Sequence, residues 1–240
     1  MDGERRERAL RRMEDITAYY AAQHGVLAVA AFGSNAERER FDEYSDLDFL
    51  VFAEHCAKDR LLSETPLLSS ICPIGGMQIS AGDAVRLLFS DGVLCDFGIV
   101  TPDRLSAFPH GAGRYLWRRE GWEAVDLSAS EPMRKTPGEL ETDALFHLYT
   151  GLLRALRGEE AAAFYEIQVT AAQDVLALLG GDGTDAFSPL RRAEHTFQRE
   201  LLSKLSPGYG RSKQAAGAML PLLKTQRGTP LYTAVFSLLN

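Results

Sequence analysis

Cysteine and histidine are scarce in this chain of 240 residues: Cys56, Cys72 and Cys95 are the 3 cysteines, and there are 5 histidines. The cysteines are odd in number, show no CxxC spacing and have no histidines clustered with them, which excludes a disulfide framework and zinc sites of the usual ligand spacing. No apolar run is long enough to span a bilayer, so membrane-spanning classes fall away. The opening stretch MDGERRERALRRMED lacks the apolar core of a secretory signal, and a cytoplasmic location is the expectation. There is no internal repeat and no low-complexity tract. An excess of positive charge is also missing: the formal net charge is −7. Surfaces that grip long nucleic acid by its phosphates are basic, so extended DNA or RNA is disfavoured as a partner. The imbalance lies in residues 1–130, with 14 Lys and Arg against 21 Asp and Glu; residues 131–240 carry 12 of each.

What is present is an ordinary globular composition, 45% hydrophobic and 25% charged. The first half reads as a mixture of helices and strands. Residues 5–22 repeat apolar side chains at helical spacing, and residues 26–32 (VLAVAAF) suit a buried strand. Gly33-Ser34 breaks that strand, and a helix over 34–39 is expected after it. Residues 47–52 predict a second strand. A short helix is expected over 58–63 and a strand over 77–80. Residues 85–89 and 93–100 read as a hairpin around Ser90-Asp91-Gly92. Thr101-Pro102 opens a short helix, and a strand over 124–127 is expected to close the first domain. The boundary falls after residue 132, giving domains 1–132 and 133–240.

The second half reads as a helical bundle. Thr136-Pro137-Gly138-Glu139 fits a capping box at the head of a helix reaching 157. Further helices are expected over 159–179, from Ser188-Pro189, over 210–224 with Pro221 as a kink, and from Thr229-Pro230. The fold class is therefore α+β: a mixed sheet with flanking helices, then an all-α bundle.

The chemistry concentrates in Phe32-Gly33-Ser34 and, eleven residues later, Asp46-Leu47-Asp48-Phe49. Residues two apart on a strand share a face, so Asp46 and Asp48 project together, about 7 Å apart, while Leu47 and Phe49 point into the core. Such a pair repels itself unless a cation intervenes, and hard oxygen ligands suit Mg²⁺ completed by water and phosphate. Asp96 sits in the apolar run VLCDFGIV, where a lone acid is costly to bury. If its strand lies beside the first pair, three carboxylates can hold two Mg²⁺ ions about 3.5–4 Å apart, as in-line phosphoryl displacement uses. Asp46, Asp48 and Asp96 are thus the candidate metal ligands and catalytic residues. Asp96 doubles as a candidate general base, with Glu141 or Asp143 as alternatives. Gly33 and Ser34 would bind phosphate through backbone amides and the hydroxyl. Arg38 and Arg40 are candidates to clamp the outer phosphates. Plainer readings stand beside these: Asp96 paired with Arg86 across the hairpin, Ser34 as a helix cap, and Arg38 and Arg40 as solvated surface charge.

With those motifs in view, the chain resembles the polymerase-beta-type nucleotidyltransferase superfamily over its first hundred residues. The layout of an α/β domain followed by a helical bundle is similar to that of the antibiotic nucleotidyltransferases, lincosamide and aminoglycoside enzymes that adenylylate a drug hydroxyl. The resemblance implies ATP or another nucleoside triphosphate as co-substrate, a small-molecule hydroxyl acceptor, and a homodimer. The lincosamide enzymes carry Glu where Asp48 stands, which leaves the acceptor open. The neutral second half favours a lincosamide over a polycationic aminoglycoside, for which an acidic cleft would be expected. Two other functions fit the same residues: AMP transfer to a protein or RNA end, and nucleotide binding without turnover.

Overall fold

The computed structural model describes residues 2–37, 39–80, 83–107 and 109–240, with only the backbone of Asp2. The chain divides into two compact units, Met1–Glu131 and Pro132–Asn240. The architecture is α+β, a mixed sheet with flanking helices followed by a helical unit.

Among the described residues the first unit holds six strands: β1 (Val26–Ala31), β2 (Leu47–Ala53), β3 (Ile74–Ile79), β4 (Ala84–Phe89), β5 (Leu94–Val100) and β6 (Arg114–Arg118). They lie in the order β3-β4-β5-β2-β1-β6. β2 and β5 run parallel, and every other neighbouring pair is antiparallel. A parallel pair needs a long crossover, which here contains helix α3 (His55–Ser63) and the β3–β4 hairpin.

Helix α1 (Asp2–Ala21) forms because Ala9, Met13, Ile16 and Tyr20 recur at helical spacing, and all four are buried. They pack against Leu47, Phe49, Val51, Cys95, Phe97 and Ile99, the alternate residues of β2 and β5. The opposite face of the sheet carries a smaller cluster of Ala28, Ala30, Phe52, Leu105 and Leu127, with Tyr115 and Trp122 against it.

Two expectations for this unit are corrected. Residues 124–127 form no strand; the sheet closes instead with β6, at Arg114–Arg118. The later segment runs beside it, accepting from Gly113 N at Leu127 O (2.8 Å) and from Tyr115 OH at Val125 O (2.8 Å). The helix expected over 34–39 is the single turn α2 (Gly33–Ala36), because Glu37 is already extended.

The second unit comprises α4 (Pro137–Leu156), α5 (Glu160–Phe164), α6 (Ala172–Gly180), α7 (Ala193–Thr196), α8 (Arg199–Leu205), α9 (Ser212–Met219) and α10 (Pro230–Leu239). The capping box of α4 is formed: Glu139 N donates to Thr136 Oγ1 (3.3 Å), and Thr136 N donates to Glu139 Oε2 (2.8 Å). A π-helical segment, Tyr165–Ala171, joins α5 to α6. Ser188-Pro189 starts no helix, since the Asp185 carboxylate accepts from Phe187 N (2.9 Å) and Ser188 N (3.1 Å) and holds a turn there. Pro221 kinks nothing: α9 has ended at Met219, and the proline sits in a 3-10 turn. Among the described residues no helix is long and apolar enough to cross a membrane.

Glu141 illustrates how this unit is tied together. It is buried, and its Oε2 accepts from Thr225 N (2.8 Å), Thr225 Oγ1 (2.7 Å) and Gln226 N (3.0 Å). Replacing it leaves three donors without their acceptor. Glu141→Ala is expected to lower stability by about 2–4 kcal/mol in urea unfolding, with Glu141→Gln losing less. Equal stability for the alanine variant and the parent would show that the contact is dispensable.

Candidate functional site

Register decides where the acids go. In the parallel β2–β5 pair, Leu47 faces Cys95, Asp48 faces Asp96 and Phe49 faces Phe97. The rings of Phe49 and Phe97 stack, with centroids 4.5 Å apart and planes 7° from parallel. Neighbours in register point to the same side of the sheet, so Asp48 and Asp96 stand together, one strand spacing of about 4.8 Å apart, on the face away from α1. Asp46 lies one residue before β2, two before Asp48; Leu47 between them is fully buried and both acids are half-buried. The register continues across the sheet: Asp96 faces Arg86 on β4, and Arg86 faces Gln78 on β3.

The Gly33-Ser34 turn abuts this face from the β1 side. Phe32 N donates to Asp48 O (2.9 Å), so the turn begins where β1 and β2 still pair. Gly33 has φ +56°, and a Cβ there would lie 2.5 Å from Asp48 Oδ2. Only glycine meets both conditions. Two further residues fasten the turn. Asn35 is buried and its Nδ2 donates to Asp48 O (3.4 Å), while Arg114 donates from Nε to Ala36 O (3.2 Å) and from Nη2 to Asn35 O (3.3 Å). The sequence shows no sign of Arg114, which lies 79 residues beyond Asn35. The asparagine directly after Gly-Ser reveals its role only through its burial in the fold.

The loop from the turn to Asp46 is shaped by Asp42. Its Oδ1 accepts from Tyr44 N (3.0 Å) and Ser45 Oγ (2.7 Å), and the bond from Ser45 is the main reason its pKa lies below the usual carboxylate range. Tyr44 is left exposed. Arg40 pairs with Glu37 at 2.5 Å on the surface. Arg38 lies outside the described residues.

Asp96 is engaged. Arg86 donates from Nε (3.1 Å) and Nη2 (2.5 Å) to its Oδ2. These bonds, then the charge of Asp96 and more weakly that of Asp46, raise the Arg86 pKa above its ordinary value. Asp46 and Asp96 also act on Cys95: burial is the largest cause pushing that thiol up to about 12, Arg12 opposes it, and Asp46, Asp91 and Asp96 add to it. Asp46 and Asp96 therefore both act on Arg86 and on Cys95.

The fit to a metal can be judged on the donors. Among the described residues, no three His, Cys, Asp or Glu side chains are arranged as a ready metal cage. In kind the donors suit magnesium, being carboxylates that leave room for water and phosphate. Asp96 could join such a site only after parting from Arg86.

A cavity of about 170 Å³ borders Asp46, lined by Arg5, Tyr44, Ser45 and Leu94 among others. It is below the roughly 300–1,000 Å³ of ligand pockets. Larger cavities, of about 440 Å³ in the helical unit and 390 Å³ between α1 and β6, contain none of the three acids.

No protein-family model matches the chain, and no curated protein matches it. Among solved structures it is similar to an aminoglycoside 6-adenyltransferase from Bacillus subtilis, at 11% identity and a TM-score of 0.34, over 95% of this chain and 89% of that one. It is also similar to a STING-associated CdnE c-di-GMP synthase from Capnocytophaga granulosa, at 11% identity and a TM-score of 0.34, over 99% of this chain and 79% of that one.

The tight turn yields a direct test. Gly33→Ala forces a left-handed backbone onto an L-residue, costing about 1–2 kcal/mol, and drives its methyl into Asp48. The variant should unfold at lower urea concentration than the parent. An unchanged midpoint would mean that the turn is not held as described.

Proposed function

We propose that the chain is a metal-dependent nucleotidyltransferase that moves a nucleoside monophosphate, AMP from ATP, onto a hydroxyl of a small molecule. The observation that carries this reading is the alignment of Asp48 with Asp96 on adjacent parallel strands, beside a Gly33-Ser34 turn that touches Asp48. Asp46 precedes Asp48 by two residues and its charge is felt in the same neighbourhood.

In this reading Asp46 and Asp48 hold Mg²⁺, with Asp96 as the third ligand for a two-ion site. The ions would neutralise the triphosphate and acidify the attacking hydroxyl. The chain's own residues do the rest. Gly33 lets the backbone approach a phosphate without a side chain in the way, and Ser34 offers a hydroxyl and an amide. Asn35 and Arg114 keep that turn against β2. Asp96 accepts the proton of the acceptor hydroxyl. Of the two alternative bases, Glu141 is fully engaged with Thr225 and Gln226, and Asp143 is paired with Lys135 at 2.7 Å. Arg40 would have to leave Glu37 to reach a phosphate.

For the acceptor, the neutral charge of residues 131–240 supports a lincosamide-type molecule over a polycation. A homodimer is part of the same reading.

The test is pyrophosphate release on incubation with ATP, Mg²⁺ and a panel of lincosamides and aminoglycosides. Release is expected with at least one drug. Asp46→Asn and Asp48→Asn should each reduce it by about 100-fold or more while circular dichroism stays unchanged. Full activity in either folded variant, or ATP binding with no turnover across the panel, would overturn the assignment to small-molecule transfer.

A further inference from the structure

We propose that Arg86 is a built-in counter-ion of the acid site, occupying Asp96 in the cation-free chain and yielding it when a divalent cation binds. The inference rests on the reading that Asp46, Asp48 and Asp96 form the site. It follows from a row of side chains on one sheet face. Asp48, Asp96, Arg86 and Gln78 are register partners across four adjacent strands, β2, β5, β4 and β3. Such a row spans about 14 Å at the usual strand spacing. Two acids are followed by one base, and the base reaches back to the nearer acid with two bonds to a single oxygen.

Asp48 and Asp96, neighbours in register on one face, repel each other, and positive charge beside them eases that repulsion. Arg86 supplies it from a position that costs the fold nothing else. Ala84, Arg86 and Leu88 are all on the exposed side of β4, while Val85, Leu87 and Phe89 carry its packing. The Arg86 side chain is 67% exposed and that of Asp96 is 32% exposed. An ion pair this open is a weak one, in the class that contributes little to stability. It can therefore be exchanged. A divalent cation held by Asp46 and Asp48 attracts Asp96 with twice the charge, and the guanidinium can swing into water along its own strand. A buried bridge on the same strands could not be traded in this way, since stranding one partner would leave a desolvated charge.

The consequence is that Arg86 sets metal affinity. It competes with the cation for Asp96 and repels it, so a site with Arg86 binds the ion more weakly than one without.

The experiment is a calorimetric titration of the whole chain with Mn²⁺ alone, on the parent, Arg86→Ala, Asp96→Asn and the double variant. Urea midpoints check that each is folded. Arg86→Ala is expected to tighten Mn²⁺ binding by about threefold or more, and Arg86→Lys to fall between it and the parent. In the Asp96→Asn background, removing Arg86 should change affinity far less. Unchanged or weaker binding by folded Arg86→Ala would overturn the inference while leaving the function reading intact, provided the parent binds. Equal tightening with and without Asp96 would also overturn it, reducing Arg86 to a general charge effect. If neither parent nor Arg86→Ala binds Mn²⁺, or if Asp46→Asn binds it as well as the parent, the acid site itself is refuted and both readings fall.

Discussion

Two stacked phenyl rings determine where the charge of this molecule goes. Phe49 and Phe97 meet on the core side of β2 and β5, and the acids that precede them in each strand are carried to the other side as a pair. A slip of one residue would send the acids into the apolar layer under α1 and the rings into water. The magnitudes favour the observed register. Burying two phenyl side chains stabilises by about 3–6 kcal/mol, and their stacking adds about 0.5–1.5 kcal/mol. Two carboxylates 4 Å apart near a surface repel by about 1–4 kcal/mol. The core thus wins over the repulsion it imposes, and Arg86 removes part of what is left. The fold holds like charges together because apolar contacts on the far face are worth more.

The helical unit applies the same economy differently. Its long helix α4 comes close to the π-helical segment at Gly151, where a Cβ would lie 2.4 Å from Ile167 Cγ1. Its buried acids are spent on structure. Glu141 gathers three donors of the 225–226 turn, and Asp174 is held by Lys135 (3.4 Å), with burial as the main cause raising its pKa. Acids of this kind join elements and are poor candidates for moving a proton to and from substrate.

Much of the fold could be read from the chain because its signals are local. The stretch VLAVAAF, the LDFLVFA and LCDFGIV alternations, the Asp-Gly hairpin and the Thr136–Glu139 capping box each state their structure within a few residues. The strand β6 could not be read so easily. Arg114, Tyr115, Leu116 and Trp117 are all half-buried, without the clean alternation of a two-faced strand, and arginines stand at both ends of it. Charged ends on an edge strand discourage further pairing but also disguise the strand. Ser188-Pro189 misleads for a different reason: the same residues serve as helix start and as turn, and the Asp185 side chain chooses the turn. The π-helical segment, which packs closely against Gly151, has no local pattern that announces it. In the candidate site, the pairing of Asp48 with Asp96 follows from two strand patterns once they are taken as neighbours. The supports do not. Asn35 and Arg114 meet through a register that links distant segments, and Arg86 is legible only as the residue across the hairpin from Asp96.

The sign of the whole first unit bears on how such a site can work. Residues 1–130 carry an excess of seven acidic groups, and the face proposed for the nucleotide carries Asp48 and Asp96 side by side. A triphosphate approaching it meets repulsion unless positive charge arrives as well. The one guanidinium in the row, Arg86, is bound to an acid and cannot attract a polyanion strongly while it stays there. Long nucleic acid, whose binding grows with each phosphate neutralised by the protein, gains nothing from such a surface. In the proposed function a short nucleotide that brings its own divalent cation would gain, because the cation satisfies both partners at once. Under the proposed function, acidity that looks unfavourable for phosphate binding would work as a filter, passing cation-bearing mononucleotides and turning away bare polyanions.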